Sequence, residues 1–310
     1  MTITEQNILK TLGYFDLFHY PLTKEEICLF HPVHVLPTAI DSAMEMLIGY
    51  GSVSRLDEFY SLKDDLSLVQ RRRRGNKLAA EHMKRAARVA KLLSRFPYVK
   101  GVAVSGSLSK NFADEKTDLD FFIITEANRL WIARTLMHLY KKLTFLTGRQ
   151  HWFCMNYYVD EAEPEITEKN IFTAMETVTL LPMQGKQSLD DFIACNSWVK
   201  EYFPVKKIST ANTTEIKRGF FRRQVEKIFD NSRGDKFDSW LMKLTEKRWK
   251  EKTEKHLLNI KGGDMGMIVG RHFSKPDPKN FQDKVVEQYQ LKVQQLLQLQ
   301  DKKTSLVNNG

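Results

Sequence analysis

The chain has 310 residues, of which 42% are hydrophobic and 28% are charged. This length suits two or three domains, and the apolar share is enough to build packed cores, which excludes a wholly disordered chain. No stretch approaches the roughly 20 continuous apolar residues of a membrane span, and the first residues lack the pattern of a secretory signal. The three cysteines, Cys28, Cys154 and Cys195, are far apart and argue against a disulfide framework or a zinc site. We therefore predict a cytoplasmic protein with reduced thiols and no membrane partner.

The net charge is +10, and its position is more informative than its size. Between Gln70 and Lys100 there are seven Arg and four Lys against one acid, Glu81, so this segment alone carries the whole excess. Residues 217–255 are also basic. Concentrated positive charge can attract a polyanion such as nucleic acid or a nucleoside triphosphate, or it can form the solvated face of a helix. Both interpretations stay open at this point.

The first part of the chain, residues 1–69, has the element order of a winged-helix domain. Apolar residues at helical spacing predict a first helix. Thr23 is placed to cap a second helix with Glu26 completing its capping box, and a third helix is predicted over 36–50. Two short strands around a turn at residues 57–58 complete the pattern.

Winged-helix domains often bind DNA through the second helix of their motif, which enters the major groove. In this chain that helix carries Thr38, Asp41, Ser42, Glu45 and Met46, with no Arg or Lys. Because such a helix is poorly suited to contact phosphates and bases, DNA is only a weakly supported partner. A role in protein contact or substrate positioning is favoured.

Two apolar strands are predicted in the second part of the chain, over 99–104 and 118–124. The second begins with Asp118 and Asp120, and because side chains alternate along a strand, both carboxylates should point to the same face. Two carboxylates at this spacing can hold one or two divalent cations, for which Mg²⁺ is the expected ion. Such ions bridge the phosphates of a nucleoside triphosphate and stabilise an in-line displacement.

The first strand leads into Ser105, Gly106 and Ser107. Glycine at this position lets the backbone approach a phosphate closely, and Ser107 adds a hydroxyl beside it. A basic helix, predicted over 76–95, precedes the strand and ends before Pro97. The segment therefore combines a glycine-containing turn with a candidate metal site.

Val104-Ser105-Gly106-Ser107, a spacer of ten residues and then Asp118-Leu119-Asp120-Phe121 resemble the signature of the polymerase-β-like nucleotidyltransferase superfamily. The resemblance covers about residues 98–160. It implies an α+β fold with a mixed sheet flanked by helices, and transfer of a nucleoside monophosphate from a nucleoside triphosphate. Asp118 and Asp120 would hold two Mg²⁺ ions as catalytic and metal-binding residues. Ser105, Gly106 and Ser107 would then bind the nucleotide.

The resemblance also implies a third carboxylate on a later strand, and here the sequence departs from it. The next predicted strand, 151–159, has no acid, and Asn156 lies where the carboxylate is expected. An amide can contact a metal or a sugar hydroxyl but cannot act as a general base near neutral pH. Glu176 on the following helix is our candidate for the catalytic third acid, with Asp160 and Glu161 as alternatives. Catalysis with two acids, a displaced third acid and an inactive descendant all stay open.

The remaining chain, 163–310, is predicted to be mainly α-helical. Helices are expected over 171–179, 188–203, 214–259 and 280–300, with a turn at 180–185 and an irregular polar loop at 271–276. His272 in that loop and His151 at a strand start are interpreted as structural residues. The predicted division is thus a winged-helix-like domain (1–69), a nucleotidyltransferase core (70–162) and a helical region (163–310).

Two functions from different classes follow. The first is a Mg²⁺-dependent nucleotidyltransferase whose acceptor hydroxyl belongs to a small molecule, a protein or a nucleic acid. The second is a catalytically inactive binding module of the same fold that contacts DNA or protein through its winged-helix-like domain. The pair Asp118 and Asp120 favours the first function, because adjacent like charges have no electrostatic reason to persist without a metal. The missing strand carboxylate favours the second.

Overall fold

A computed structural model describes residues 1–255, 266–276 and 280–308 of the chain. The helices in this part are α1 Ile3–Asp16, α2 Lys24–Leu29, α3 Pro37–Gly49, α4 Ser67–Leu93, α5 Gly106–Ser109, α6 Leu130–Thr144, α7 Ile171–Val178, α8 Lys186–Cys195, α9 Phe220–Phe229, α10 Ser232–Glu254 and α11 Phe281–Asn308. The strands are β1 Leu22–Thr23, β2 Ser54–Leu56, β3 Phe59–Ser61, β4 Val99–Val104, β5 Asp120–Thr125, β6 Cys154–Asp160, β7 Leu181–Gln184, β8 Met267–Val269 and β9 Phe273–Pro276. Short 3₁₀ turns lie at Phe145–Thr147, Gln150–Trp152 and Ser197–Glu201.

The main sheet has six strands in the order β7-β4-β5-β6-β9-β8. β5 and β6 are parallel, and the other neighbouring pairs are antiparallel. The parallel pair requires a crossover connection, which α6 supplies. The sheet is therefore mixed and flanked by helices, and the predicted α+β class is confirmed for this region.

Alternation along the strands divides the buried side chains between the two faces of this sheet. Val102, Phe121 and Tyr158 pack with α4, α6 and α10 on one face. Ala103, Phe122 and Val159 pack on the other face in a core shared with α7, α8 and the first three helices. Both faces of the sheet are thus covered.

The N-terminal elements follow the predicted order of three helices and a hairpin. Thr23 accepts a hydrogen bond from the Glu26 backbone N–H, and the Glu26 side chain accepts one from the Thr23 N–H, which confirms the capping box. β1 joins the hairpin, so the small sheet has the order β1-β3-β2. On α3, Asp41 forms an ion pair with Lys24, while Glu45 and Met46 are exposed. The surface of α3 therefore carries no cationic side chain of its own.

The C-terminal half contributes three strands to the sheet, so the prediction of a mainly helical region is only partly right. The turn predicted at 180–185 is wrong, because Leu181–Gln184 forms β7 and pairs with β4. Pro182 suggested a turn, but proline is tolerated in an edge strand such as β7. The irregular loop predicted at 271–276 is also wrong, since β9 pairs with both β6 and β8.

The remaining helical predictions differ mainly in where helices are interrupted. The helix predicted over 214–259 is two helices, α9 and α10, and its last residues, 256–259, lie outside the described residues. Asn231 separates them, because its side chain accepts hydrogen bonds from the first backbone N–H groups of α10. The helix predicted over 188–203 ends at Cys195 and continues as a 3₁₀ turn. No helix in the described ranges has the length and apolarity needed to cross a lipid bilayer.

The four consecutive arginines 71–74 lie on α4, which begins at Ser67, inside the proposed first unit (residues 1–69) and nine residues before the predicted start. Arg72 is 2% exposed and donates to Glu26 at 2.6 Å. Arg73 pairs with Glu58, Arg74 with Glu115, and Arg71 donates to two backbone carbonyls. These arginines hold α4 against the N-terminal elements and the 111–115 loop.

Candidate active site

The candidate site lies where β4 ends and β5 begins. The backbone N–H of Ser105 donates to the Asp120 carbonyl at 3.0 Å, which holds the turn after β4 beside the start of β5. Gly106 has φ +68, and a Cβ built on it would collide with the Asp120 carboxylate. Only glycine combines this left-handed backbone with so close an approach. The Gly-Ser turn and Asp120 therefore form one unit.

Asp120 is the electrostatic centre of the site. Asn156 Nδ2 donates to its Oδ1 at 2.5 Å, and Cys154 Sγ donates to Asn156 Oδ1 at 3.0 Å. Burial raises the pKa of Asp120 to about 7, and the nearby carboxylates of Asp118 and Glu176 add to the rise. Burial also raises the pKa of the Cys154 thiol to about 12, so this cysteine is a hydrogen-bond donor and not a nucleophile.

Asp118 lies just before β5, which begins two residues later than predicted. The prediction that both aspartates belong to one strand is therefore wrong for Asp118, which precedes the strand that Asp120 begins. Asp118 Oδ1 is 2.9 Å from His151 Nδ1, and its side chain is 26% exposed. His151, which we interpreted as structural, thus contacts a candidate metal ligand.

Glu176 reaches the site from α7. Its Oε1 accepts a hydrogen bond from Lys110 Nζ at 2.8 Å, and the same ammonium donates to the Gly106 carbonyl at 3.2 Å. The motif pattern does not single out Lys110, although a basic residue one helical turn after Gly106 is a usable signal. It links the glycine turn to the candidate third acid.

A cavity of about 370 Å³ opens beside Asp120. It contains five of the seven predicted site residues, namely Ser105, Gly106, Asp120, Asn156 and Glu176. Asp118 and Ser107 are not part of its wall. The rest of the lining is largely apolar and aromatic, with Phe122, Tyr157, Ile166, Phe172, Leu180, Pro276 and Phe281, together with Thr173, Thr177, Lys275 and Gln282. No local pattern in the sequence indicates that β9 and α11 form this wall, because the residues of α7 and β6 that they contact are distant along the chain.

The two alternative third acids lie away from the cavity. Asp160 is fully buried, accepts backbone N–H bonds from Asn128 and Ala162, and contacts His272 Nδ1 at 2.9 Å. His272 is thus a structural hydrogen-bonding partner, as interpreted from the sequence. Glu161 accepts from Ser188 Oγ at 2.7 Å. Of the three candidates, Glu176 alone lines the cavity.

The donor chemistry of the site fits a hard divalent cation. Carboxylate and amide oxygens are the ligands that Mg²⁺ takes, and a cation beside Asp120 would offset the repulsion that its carboxylate experiences from Asp118 and Glu176. In the described ranges no group of three or more His, Cys, Asp or Glu side chains is close enough to hold a metal ion. Glu176 pairs with Lys110 and Asp118 with His151 instead. A metal would therefore rely on Asp118 and Asp120, with oxygens of a bound phosphate completing its shell.

The comparison with known protein families agrees with this geometry. Residues 87–229 match the model of the nucleotidyltransferase domain, a family of the polymerase-β-like superfamily that typically depends on magnesium. The match includes the Gly-Ser turn, both aspartates, Asn156 and Glu176. No curated protein and no solved structure matches the chain significantly. Residues 87–229 are therefore a nucleotidyltransferase domain of the polymerase-β-like superfamily.

Proposed function

We propose that the protein is a Mg²⁺-dependent enzyme that transfers a nucleoside monophosphate from a nucleoside triphosphate to an acceptor hydroxyl. The observation that carries this proposal is the grouping of Asp118, Asp120 and Glu176 around the Gly106 turn, where the negative fields of Asp118 and Glu176 both act on Asp120. For Asp120, burial and the two neighbouring carboxylates all oppose the ionised form, which a bound cation would favour.

In this proposal Asp118 and Asp120 hold the metal. When bound, Mg²⁺ supplies positive charge that offsets the charge developing on the phosphates during an in-line displacement. Asn156 holds Asp120 in one orientation through its amide N–H. Ser105, Gly106 and Ser107 bind the triphosphate, and the exposed Ser107 hydroxyl is free to donate to a phosphate oxygen.

The cavity is assigned to the nucleoside. Its volume of about 370 Å³ and its aromatic wall suit a base and sugar, and phosphates would then lie at its polar end beside Asp120. Glu176 is assigned as the acceptor of the proton from the attacking hydroxyl. Lys110, which contacts both Glu176 and the Gly106 carbonyl, is placed to move from the carboxylate to a phosphate when nucleotide binds.

The second candidate, a catalytically inactive binding module that contacts DNA or protein through its winged-helix-like domain, is favoured by one observation. Asn156 occupies the position on β6 that faces Asp120, where an acid could serve as a third ligand or base. The two functions differ in what Glu176 does. An enzyme needs its carboxylate for transfer, whereas a binding module does not.

The experiment has a binding arm and a chemical arm. In calorimetric titrations with non-hydrolysable nucleoside triphosphates, we expect binding to require Mg²⁺. We expect Asp118→Asn/Asp120→Asn to abolish this binding. The matched control, Asp64→Asn/Asp191→Asn, removes two exposed carboxylates outside the cavity and should bind as the wild type does. If the wild type binds none of the four nucleotides, the enzyme proposal is wrong, and the fold would instead serve as a scaffold for contacts with DNA or protein.

The chemical arm measures pyrophosphate release with pooled acceptors. Glu176→Gln should keep metal-dependent binding but lose release by about 100-fold or more, the usual contribution of a general base. Binding without release by the wild type under every acceptor condition supports the inactive module.

A further inference from the structure

A second concave surface lies on the other face of the main sheet from the cavity. This groove, of about 430 Å³, runs between α4, α6 and the 3₁₀ turn before β6. Its lining consists of Arg85, Arg88, Val89, Leu92, Tyr140, Leu143, Thr144, Arg149, Trp152 and Phe153. It contains three arginines and three aromatic residues, and no acid.

Trp152 lies between two of these arginines. The guanidinium carbon of Arg85 is 4.8 Å from the centre of its ring, and that of Arg149 is 5.1 Å away. Tyr140 packs edge-on against Phe153 beside them, with ring centres 5.3 Å apart. Planar guanidinium groups and aromatic rings are the two surfaces on which unpaired bases stack.

The groove continues into a line of positive charge along α4. Lys77, Lys84, Arg88 and Lys91 are exposed and are spaced seven, four and three residues apart, so they lie on one side of the helix, where Glu81 is the single acid among them. At a rise of 1.5 Å per residue this line is about 20 Å long. A line of cations suits an extended polyanion better than a flat anionic surface or a single phosphate.

These cations differ from the arginines at the start of the same helix. Arg72, Arg73 and Arg74 form ion pairs with acids of the protein itself. For Arg85, Arg88 and Arg149, by contrast, no ion pair with a carboxylate occurs within the described part of the chain. Their charge is therefore available to a ligand.

We propose that this groove binds single-stranded nucleic acid, with phosphates along the α4 cations and bases against the aromatic and guanidinium surfaces. The groove is next to the candidate active site along the chain, since His151 contacts Asp118 and Trp152 follows directly. The binding itself does not depend on nucleotidyl transfer.

The experiment measures anisotropy of a fluorescein-labelled oligothymidylate of about 12 nucleotides, without nucleoside triphosphate, from about 50 to 200 mM salt. Arg88→Gln/Arg149→Gln should weaken binding at least tenfold and reduce the salt slope by about 1.4, because each phosphate contact to a single strand contributes about 0.7. The control Lys200→Gln/Lys207→Gln removes the same charge from exposed residues near the opposite core and should bind as the wild type does.

Two further variants keep the result interpretable. Trp152→Phe keeps a ring and should lose only a fewfold in affinity, whereas Trp152→Ala should lose about tenfold or more. Asp118→Asn/Asp120→Asn should bind the oligonucleotide normally, so failure of the proposed enzyme activity leaves this test intact.

Three outcomes would overturn the proposal. They are absence of wild-type binding at about 100 µM protein, equal losses in the groove and control variants, and equal competition by polyglutamate. Stronger binding to anionic phosphatidylserine vesicles than to the oligonucleotide would reassign the surface to a membrane.

Discussion

Asn156 stabilises the carboxylate of Asp120 through a hydrogen bond that does not depend on a metal. Its amide donates to one carboxylate oxygen, and the Cys154 thiol fixes the orientation of the amide. An aspartate at this position would remove a donor and add a second buried negative charge in contact with the first. The residue at position 156 therefore determines how much negative charge surrounds Asp120 when no cation offsets it.

We expect Asn156→Asp to lower the free energy of unfolding without Mg²⁺ by about 1–3 kcal/mol, through the lost hydrogen bond and the like-charge contact. Added Mg²⁺ should raise its midpoint of thermal unfolding by several degrees more than that of the wild type. Asn231→Asp, an exchange between two good helix caps, serves as control. Equal shifts with Mg²⁺ in the wild type and in Asn156→Asp would contradict the assignment of a metal to Asp120.

At the scale of elements, α4 is held to the N-terminal elements and to the 111–115 loop by one buried contact and several exposed ones. Arg72 donates to Glu26 and to the Pro21 carbonyl, and its guanidinium carbon lies 3.7 Å from the centre of the Tyr20 ring. Arg74 instead is 70% exposed and pairs with an equally exposed acid. Neighbouring arginines thus differ widely in their expected contribution to stability.

We expect Arg72→Ala to lower the free energy of unfolding by about 3 kcal/mol, because it leaves Glu26 without its buried partner. Arg74→Ala should cost less than about 1 kcal/mol, since exposed ion pairs contribute little. Urea denaturation of the two variants compares them directly. Equal losses would show that burial of Arg72 does not determine the stability of this junction.

α10 is joined to the beginning of α6 by Asp238, which accepts the backbone N–H of Ile132 at 2.8 Å. Burial raises the pKa of this carboxyl to about 6, although the N–H bonds oppose the rise. In the unfolded chain it titrates near its usual value of about 3.9. Between about pH 4 and 6, the native state therefore keeps a proton on Asp238 that the unfolded state has released. The free energy of unfolding falls as pH rises through this range, because ionised Asp238 is less favourable in the native state.

We expect Asp238→Asn, which stays neutral, to match the wild type near pH 4 and to be more stable above pH 6. The difference in unfolding free energy between the two proteins should not exceed about 3 kcal/mol, because the pKa of Asp238 differs by about two between the native and unfolded states. Denaturation of both proteins at several pH values measures it. A constant difference across the range would show that Asp238 is ionised in the native state.

Local structure is predictable from the sequence where all neighbouring residues favour the same element. β4 was predicted to the residue, because an apolar run is bounded by Pro97 and Ser105. β7 was missed because Pro182 is a turn signal unless the strand lies at an edge. The approach of Glu176 to Asp120 and the pairing of Arg72 with Glu26 depend on tertiary packing, which no local pattern contains.

At the scale of the whole molecule, α11 joins the cavity to the N-terminal elements. Phe281 lies in the cavity wall at its beginning, and Tyr289 packs against Tyr14, with ring centres 5.7 Å apart. Lys292 pairs with Asp16, and Gln300 accepts from Ser52. One helix thus contacts both the candidate nucleotide site and the hairpin region.

We expect a chain ended after residue 279 to bind nucleotide more weakly, because the cavity loses one wall, and to have faster amide hydrogen exchange in α1. Hydrogen exchange monitored by mass spectrometry, together with calorimetry, measures both effects. Unchanged protection of α1 in the shortened chain would show that α11 does not stabilise the N-terminal helices. The substitution Lys292→Ala, which removes only the ion pair with Asp16, separates that contact from the apolar packing of the helix.

The contact between α1 and α11 also has a consequence for synthesis. Asp16 and Lys292 are 276 positions apart, and a ribosome adding about 5–20 residues per second takes at least about 14 seconds between them. During that time the apolar side of α1 lacks its final partner, and closing so long a loop is slow. α1 is therefore among the last helices to gain all of its contacts, although it is synthesised well before its partner, and its apolar side stays exposed to other molecules during that time.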